Sequence, residues 1–563
     1  MTAARALRRI EALRLRYDPR MAVEKRALLA LLKGARFGRA DLLLRYHEAL
    51  CFMAAYPDDA RLLALVRREL AAFAHRPELA RFGDELADSG VAGSATRYNY
   101  FWMMSRWLAE RFPRRLALDW SRPEFVGRLG AALPLLLGWT EAEAVRRSPL
   151  DLRAILDGLR GAESDAVFVL RRIAQLPGDE HTREHFHDAI DSAYVLAPAP
   201  GFPSRTLARH AAAPLVFRNV APPAARPDLV AELKRRPPGV RRVSGAEARS
   251  LLELAREAML TRARDLVAFS WGNQRDVMLV DDGDGVAFAI IGSLPAHRLP
   301  LPVVHGWIML RNRVPVGYVQ TDTLLASSEI SFNVFATFRG TEAGYLFARV
   351  LAVTHHVFGA RAFSIEPYQL GVGNSEGIES GAWWFYYKLG FRPVAAGPQA
   401  ILARELARMR GNPTHRSGVA TLKRLACGHM VFEPEAGRRA WLPLIPGLGL
   451  ARRWESPVDA GMAAIRRFDA RNMAGWTTDE RSAWQRLAPI LLALEGVERW
   501  TADQRRAAVV VWRAKGGIRE SAMLSRLDAH APLSAALTRM LDATIERPDE
   551  AARMKQHGSK AET

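Results

Sequence analysis

SSEISFNVFATFRGTEAGYLFARVLAVTHHVFGARAFSIEPYQLGVGNSEGIESGAWWFYYKLGFRP, residues 327–393, is the stretch whose reading decides the fold. Its first run, 329–336, alternates. Glu329, Ser331 and Asn333 fall on one face and Ile330, Phe332 and Val334 on the other, the period of a strand. Residues 339–344, RGTEAG, form a turn of mostly small residues. Beyond it Leu346, Val350, Val353 and Val357 recur at helical spacing, so a helix is expected to run to Phe358 and stop at Gly359. Residues 362–365 read as a short apolar strand, 367–379 as a polar loop and 382–391 as an aromatic helix. Strand, helix and strand of these lengths make a right-handed crossover between parallel strands.

The turn carries the first chemistry. Small residues ahead of a helix let backbone N–H groups approach an anion, and the helix dipole favours negative charge there. Arg339 adds a cation. No Gly-Lys-Ser/Thr follows, so this is not a P-loop; the turn alone reads either as a pyrophosphate site or as an ordinary strand-to-helix connection.

Three pieces in order resemble the GNAT N-acetyltransferase superfamily over about residues 240–394. HGWIMLRNRVPVGYV, residues 305–319, is similar to that family's hairpin, in which a turn is followed by Pro-Val-Gly-Tyr. Residues 339–344 resemble its Arg/Gln-x-x-Gly-x-Gly/Ala loop. AWWFYYKLGF, residues 382–391, resembles its late aromatic signature and is the most specific piece. Two departures stand out. The fourth loop position, normally Gly, is Glu342, which would set a carboxylate beside the phosphates. The segment 367–379 is longer than usual, and would either shape an acceptor pocket or fill the cleft.

The resemblance implies transfer of an acyl group from acetyl-CoA or another acyl-CoA to an amine of a small molecule or protein. Arg339 and the backbone of Gly340, Thr341, Ala343 and Gly344 would hold the pyrophosphate. A backbone N–H among Asn333, Val334 and Phe335 would polarise the thioester carbonyl. Tyr386, at the family's thiol-facing position, would be the general acid. Glu329 is the first choice of base and Glu366 the alternative. A strand buried on both faces should be continuously apolar, so the polar face of Glu329, Ser331 and Asn333 is either a cleft wall or a half-solvated surface. The competing reading is a non-catalytic interaction protein on the same scaffold.

Composition bounds the rest. The chain has 563 residues, 49% hydrophobic and 25% charged, which are globular values and enough for about three domains. The formal charge is +20 and nearly all of the 80 basic residues are arginine. They are spread along the chain, which favours a solvated surface over a nucleic-acid groove. Only Cys51 and Cys427 are present, so a disulfide scaffold is not expected. The N-terminus lacks the apolar core of a signal peptide, and no run reaches the ~18 apolar residues of a membrane span. A cytoplasmic setting is the default expectation.

The fold class expected is α/β: a mixed-sheet GNAT-like domain at 240–396 between mainly helical domains at 1–196 and 397–546. A Pro-rich linker at 197–239 and a disordered tail at 547–563 complete the chain. Within 1–196 the aromatic block 96–113, with Arg97, Arg106 and Arg111 interleaved, either stacks on bases or packs in a core. His181, Glu184 and His185 fit the H-x-x-E-H zinc pattern, but a solvated helix face explains them as well, and no metal ligand is assigned. His355 and His356 are expected to face solvent, and Trp383 and Trp384 to pack rather than form a substrate cage. Turns at 282–285 and 312–313 predict hairpins. Thr477 with Glu480, and Thr501 with Gln504, read as capping boxes that open C-terminal helices, with a last helix at 531–545.

Overall fold

The computed structural model describes residues 2–199, 201–211, 214–221, 226–435, 450–470 and 473–545. Alternating and apolar runs in its middle third assemble into one nine-stranded sheet. The strands are β1 (Gly239–Val243), β2 (Gly272–Gly283), β3 (Val286–Ser293), β4 (Val303–Arg311), β5 (Val314–Leu324), β6 (Ser327–Val334), β7 (Ala362–Ile365), β8 (Arg392–Pro393) and β9 (Met430–Phe432). Across the sheet they lie in the order β8-β9-β7-β6-β5-β4-β3-β2-β1. Among the described residues β6 and β7 are parallel and all other neighbours in this sheet are antiparallel.

The two hairpins form where the sequence places them. Asp284 and Gly285 join β2 to β3 with φ of 51° and 78°. Asn312 and Arg313 join β4 to β5 with φ of 47° and 78°, as a two-residue turn matched to strand twist requires.

Four helices position the site: α1 (Ala40–Ala55), α2 (Gly245–Leu260), α3 (Ala343–Phe358) and α4 (Ala382–Leu389). Helix α3 makes the crossover from β6 to β7. It ends at Gly359, whose φ of 73° is the left-handed cap that only glycine adopts freely. Its Leu346, Phe347, Val350, Leu351 and Val353 are buried, each worth about 1.5–3 kcal/mol of apolar transfer. A single core runs from Tyr17 through the sheet to Leu541, and a second lies within the helices before residue 92. No helix among the described residues is long and apolar enough to cross a membrane.

Several expectations change. The first 196 residues hold a small antiparallel sheet of Thr96–Tyr98, Leu116–Leu118 and Tyr194–Leu196 besides their helices. Three-residue strands are too short to show a period. The aromatic block mostly packs inward: Tyr100 and Trp102 are buried, with the Tyr100 hydroxyl donating to Leu260 O at 3.1 Å. The described residues of the Pro-rich segment 197–239, which the apolar run 215–217 marks as ordered in part, pack against the rest of the chain. Thr206 Oγ1 meets His47 Nε2 at 2.8 Å, and Arg218 is buried with its N–H on Pro57 O at 3.0 Å. The sheet also crosses the boundary expected at 396, because β9 inserts between β7 and β8. His355 and His356 are half-buried, His355 Nδ1 lying 2.8 Å from Ala360 O.

Farther on, both capping boxes form, and Ala531–Ile545 is helical. The expected tail from 547 lies outside the described residues.

Candidate functional site

The site grows from the place where β6 and β7 part. Their parallel pairing runs from Ser327 to Glu329 on β6 and from Ala362 to Ser364 on β7. Five more β6 residues continue beside β5 alone. Phe335 N–H donates to Val316 O at 2.9 Å. In an antiparallel ladder successive residues turn their backbone groups to opposite sides. Val334 N–H is therefore turned away from β5, toward the gap that β7 leaves. Of the three amides named from sequence, Phe335 is excluded because it is spent on Val316, and the alternation gives Asn333 to β5 as well. Gly317 opposite Val334 allows this close approach: a Cβ there would collide with Asn333 O and Met309 Cε.

The polar face of β6 meets a matching face on β5. Asn333, Ser331 and Glu329 pair with Tyr318, Gln320 and Asp322. Ser331, Asn333, Tyr318, Gln320 and Asp322 are all partly exposed, so this is an open wall rather than a sealed core. Glu329 is nearly buried and lies 3.5 Å from His429 Nε2. Ser331 Oγ donates to Glu366 Oε1 at 3.4 Å, and Ser364, beside Glu329 in register, has a buried hydroxyl with no partner among the described residues. Asp322, which the sequence reading missed, is the most perturbed acid here. Burial pushes it up to about 7, with the Glu329 charge adding to the effect. Thus Glu329, Asp322 and Glu366 gather on one wall.

Tyr386 on α4 is 3% exposed, packed among Phe347, Phe385 and Phe391. Burial first, and then the Glu366 charge, raise its hydroxyl above the ordinary phenol range. It stays protonated at neutral pH, the state a general acid needs. Trp383 and Trp384 are structural: their indole N–H groups donate to Leu425 O at 3.0 Å and Ser417 Oγ at 3.2 Å.

The loop ahead of α3 has the features of an anion cradle, with one surprise. Gly340 takes φ of 74° with open space around it. The first helical bond is Leu346 N to Glu342 O at 2.9 Å, so the amides of Ala343, Gly344 and Tyr345 have no acceptor within the helix. Thr341 Oγ1 is buried with no partner among the described residues. Glu342, however, does not lie beside the cradle. Its side chain turns into the protein and is 2% exposed. Arg311 Nε and Arg218 Nη2 lie 3.1 and 3.3 Å from its carboxylate, and the Tyr56 hydroxyl donates to it at 3.0 Å. Burial raises its pKa against the pull of Arg218. Glu342 is thus an internal anchor to the end of α1 and to Arg218 of the 197–239 segment. The same region holds the loop elsewhere: Phe338 packs on Phe52, and Thr337 hydrogen-bonds Glu48.

Arg339 is not free for a phosphate. Its Nε donates to Val334 O at 2.9 Å and its Nη2 pairs with Glu376. Glu376 lies in the long segment, on the short helix Ser375–Glu379, and also takes Arg264 Nη2 at 2.6 Å. Part of the segment thus fills the mouth of the gap. At Gly344 a Cβ would lie 3.4 Å from Pro227, so the 197–239 segment also approaches the head of α3.

Two features elsewhere stay apart from this site. His181 and His185 face each other with Nε2 atoms 3.1 Å apart, but Glu184 turns to Trp271 Nε1 at 2.8 Å. Among the described residues no three His, Cys, Asp or Glu side chains come together as a metal site. A cavity of about 860 Å³ lies at the far end of α3, lined by Phe358, Gly359, Arg242, Arg519 and Asp528.

No protein-family model, curated protein or solved structure matches the chain.

Proposed function

We propose that the chain is an acyl-CoA-dependent N-acyltransferase, moving an acetyl or longer acyl group to an amine. The observation that carries this is the gap between β6 and β7. It opens at the head of α3, with the Val334 amide turned into it, a wall of carboxylates on one side and Tyr386 close to Glu366. The cofactor would supply an activated thioester. The orphan amides of Ala343, Gly344 and Tyr345 and the Thr341 hydroxyl are the groups that suit its phosphates, and Arg339 would join them on leaving Glu376. Val334 N–H would stabilise negative charge on a carbonyl oxygen in the gap. Glu329 would take the amine proton, directly or through Asp322 or Glu366, and Tyr386 would protonate the departing thiolate.

A second reading, a non-catalytic scaffold, is favoured by one observation: Glu376 already neutralises Arg339. Calorimetric titration with acetyl-CoA separates the two. Micromolar binding to the wild type that is lost in Arg339→Ala supports the enzyme. Absence of binding by acetyl-CoA and longer acyl-CoAs supports the scaffold.

A further inference from the structure

Arg264 and Arg339 come from parts of the chain with no local relation. Arg264 follows α2 and Arg339 follows β6, yet both guanidinium groups end on the two oxygens of one carboxylate, Glu376. Each arginine has another anchor. Arg264 Nη1 donates to the Tyr318 hydroxyl at 3.2 Å, and Arg339 Nε to Val334 O at 2.9 Å. The pair would therefore keep its place if Glu376 left. Two fixed guanidinium forks are the arrangement that binds a phosphate by paired hydrogen bonds. Glu376 brings one negative charge to two positive ones, so the seat is under-neutralised. Arg262 lies 3.6 Å over the Phe335 ring and donates to Ala258 O and Thr261 Oγ1, with Glu48 the carboxylate that acts on it.

Arg264, Arg339 and Glu376 are between 30% and 35% exposed, so a solute can reach them. Glu376 stays ionised. Burial alone would raise its pKa, but the hydrogen bonds from Arg339 and Arg264 outweigh that and hold it low. Its segment is bounded by Gly371 and Gly373 on one side and Gly381 on the other, all at positive φ. Those are backbone positions that glycine turns through at little steric expense.

We infer that Arg264 and Arg339 form a phosphate seat at the mouth of the β6–β7 gap, and that Glu376 is a built-in competitor which an entering phosphate displaces. The segment 374–380, between those glycines, is then a lid that closes the gap through one carboxylate. This rests on the acyl-CoA reading for the identity of the ligand, with a phosphate or pyrophosphate group of the cofactor as the occupant. It adds Arg264 as a binding residue and Glu376 as a restraint on affinity.

The test is titration of the full chain and of Glu376→Gln, Glu376→Ala and Arg264→Ala with two probes, acetyl-CoA and inorganic pyrophosphate. Both Glu376 variants are expected to bind each probe about five- to tenfold more tightly. Arg264→Ala is expected to bind each about tenfold more weakly. Circular dichroism checks folding, and the near-isosteric Gln separates loss of charge from loss of packing. If acetyl-CoA binds in an Arg339-dependent way but neither Glu376 nor Arg264 matters, the seat is overturned while the acyltransferase reading stands. If pyrophosphate alone responds as expected, the seat is supported and the acyl-CoA reading falls. If neither probe binds any variant, both are overturned.

Discussion

Replacing Glu342 tests the reassignment of the loop's most unusual residue. Its carboxylate faces Arg311, which is fully buried, and Arg218, which is 8% exposed. Removing it leaves two buried guanidinium groups sharing one half-exposed carboxylate, Asp284, at 3.3 and 3.4 Å, and deprives the Tyr56 hydroxyl of its acceptor. Breaking a buried pair by deleting one partner costs about 3–5 kcal/mol. The entropy of unfolding is about 2.1 cal/mol/K per residue, so a chain of this length unfolding as a unit loses about 3–4 °C of melting temperature. The measurement is calorimetric melting of Glu342→Ala beside the wild type, at neutral pH and at two salt concentrations. The loss should be nearly insensitive to salt, since buried pairs are poorly screened. A melting temperature within 1 °C of wild type, together with tighter acetyl-CoA binding, would refute the reasoning. It would mean that the carboxylate faces the phosphates, as the loop sequence alone suggests. A further check is Glu342→Met combined with Arg218→Met, which should recover part of the loss because fewer charges are left unpaired.

Asp322 has its pKa raised to about 7, so the folded chain binds more protons than the unfolded one between about pH 4 and 7. Its contribution to stability is therefore present at low pH and lost as pH rises through that window; above pH 7, Asp322→Asn should be more stable than wild type by about 1–2 kcal/mol, read from denaturant midpoints at pH 5 and 8. Gly317→Ala should destabilise by about 1–3 kcal/mol, because the new methyl meets Asn333 O and Met309 Cε; an unchanged unfolding midpoint would show that the strands yield there. If the chain transfers acyl groups, Tyr386→Phe should lower kcat about 100-fold with little change in acetyl-CoA affinity, as loss of a general acid does; equal loss of both would make the ring a packing element only.

How much of this was legible beforehand depends on the range of the forces involved. The alternation of 329–334 (two residues shorter than expected, since Ala336 already begins a helical turn), the helix stopped at Gly359, both hairpin turns and both capping boxes depend on residues a few positions apart. Each formed as its local pattern requires. The polar face of β6 was visible for the same reason, since a side chain's face follows from its parity along the strand.

Other features were invisible because their cause is distant in sequence. Asp322 joins Glu329 only once the β5–β6 register is set. The three-residue strands, β9 included, take their conformation from neighbours and carry no period of their own. Which β6 amides are spent on β5 depends on the ladder phase, and the phase is fixed by pairing rather than by residue type.

The sequence by itself determined that residues 327–393 form a strand–helix–strand crossover with a small-residue loop at the head of the helix. Local stereochemistry and periodicity suffice for that. Tertiary structure alone decided which way the charged side chains of that loop turn. Glu342 was drawn inward by Arg311, Arg218 and Tyr56, and Arg339 was held at the surface by Val334 and Glu376. A buried charge goes where its counter-charges and hydrogen bonds are, and those of Glu342 come from three other parts of the chain.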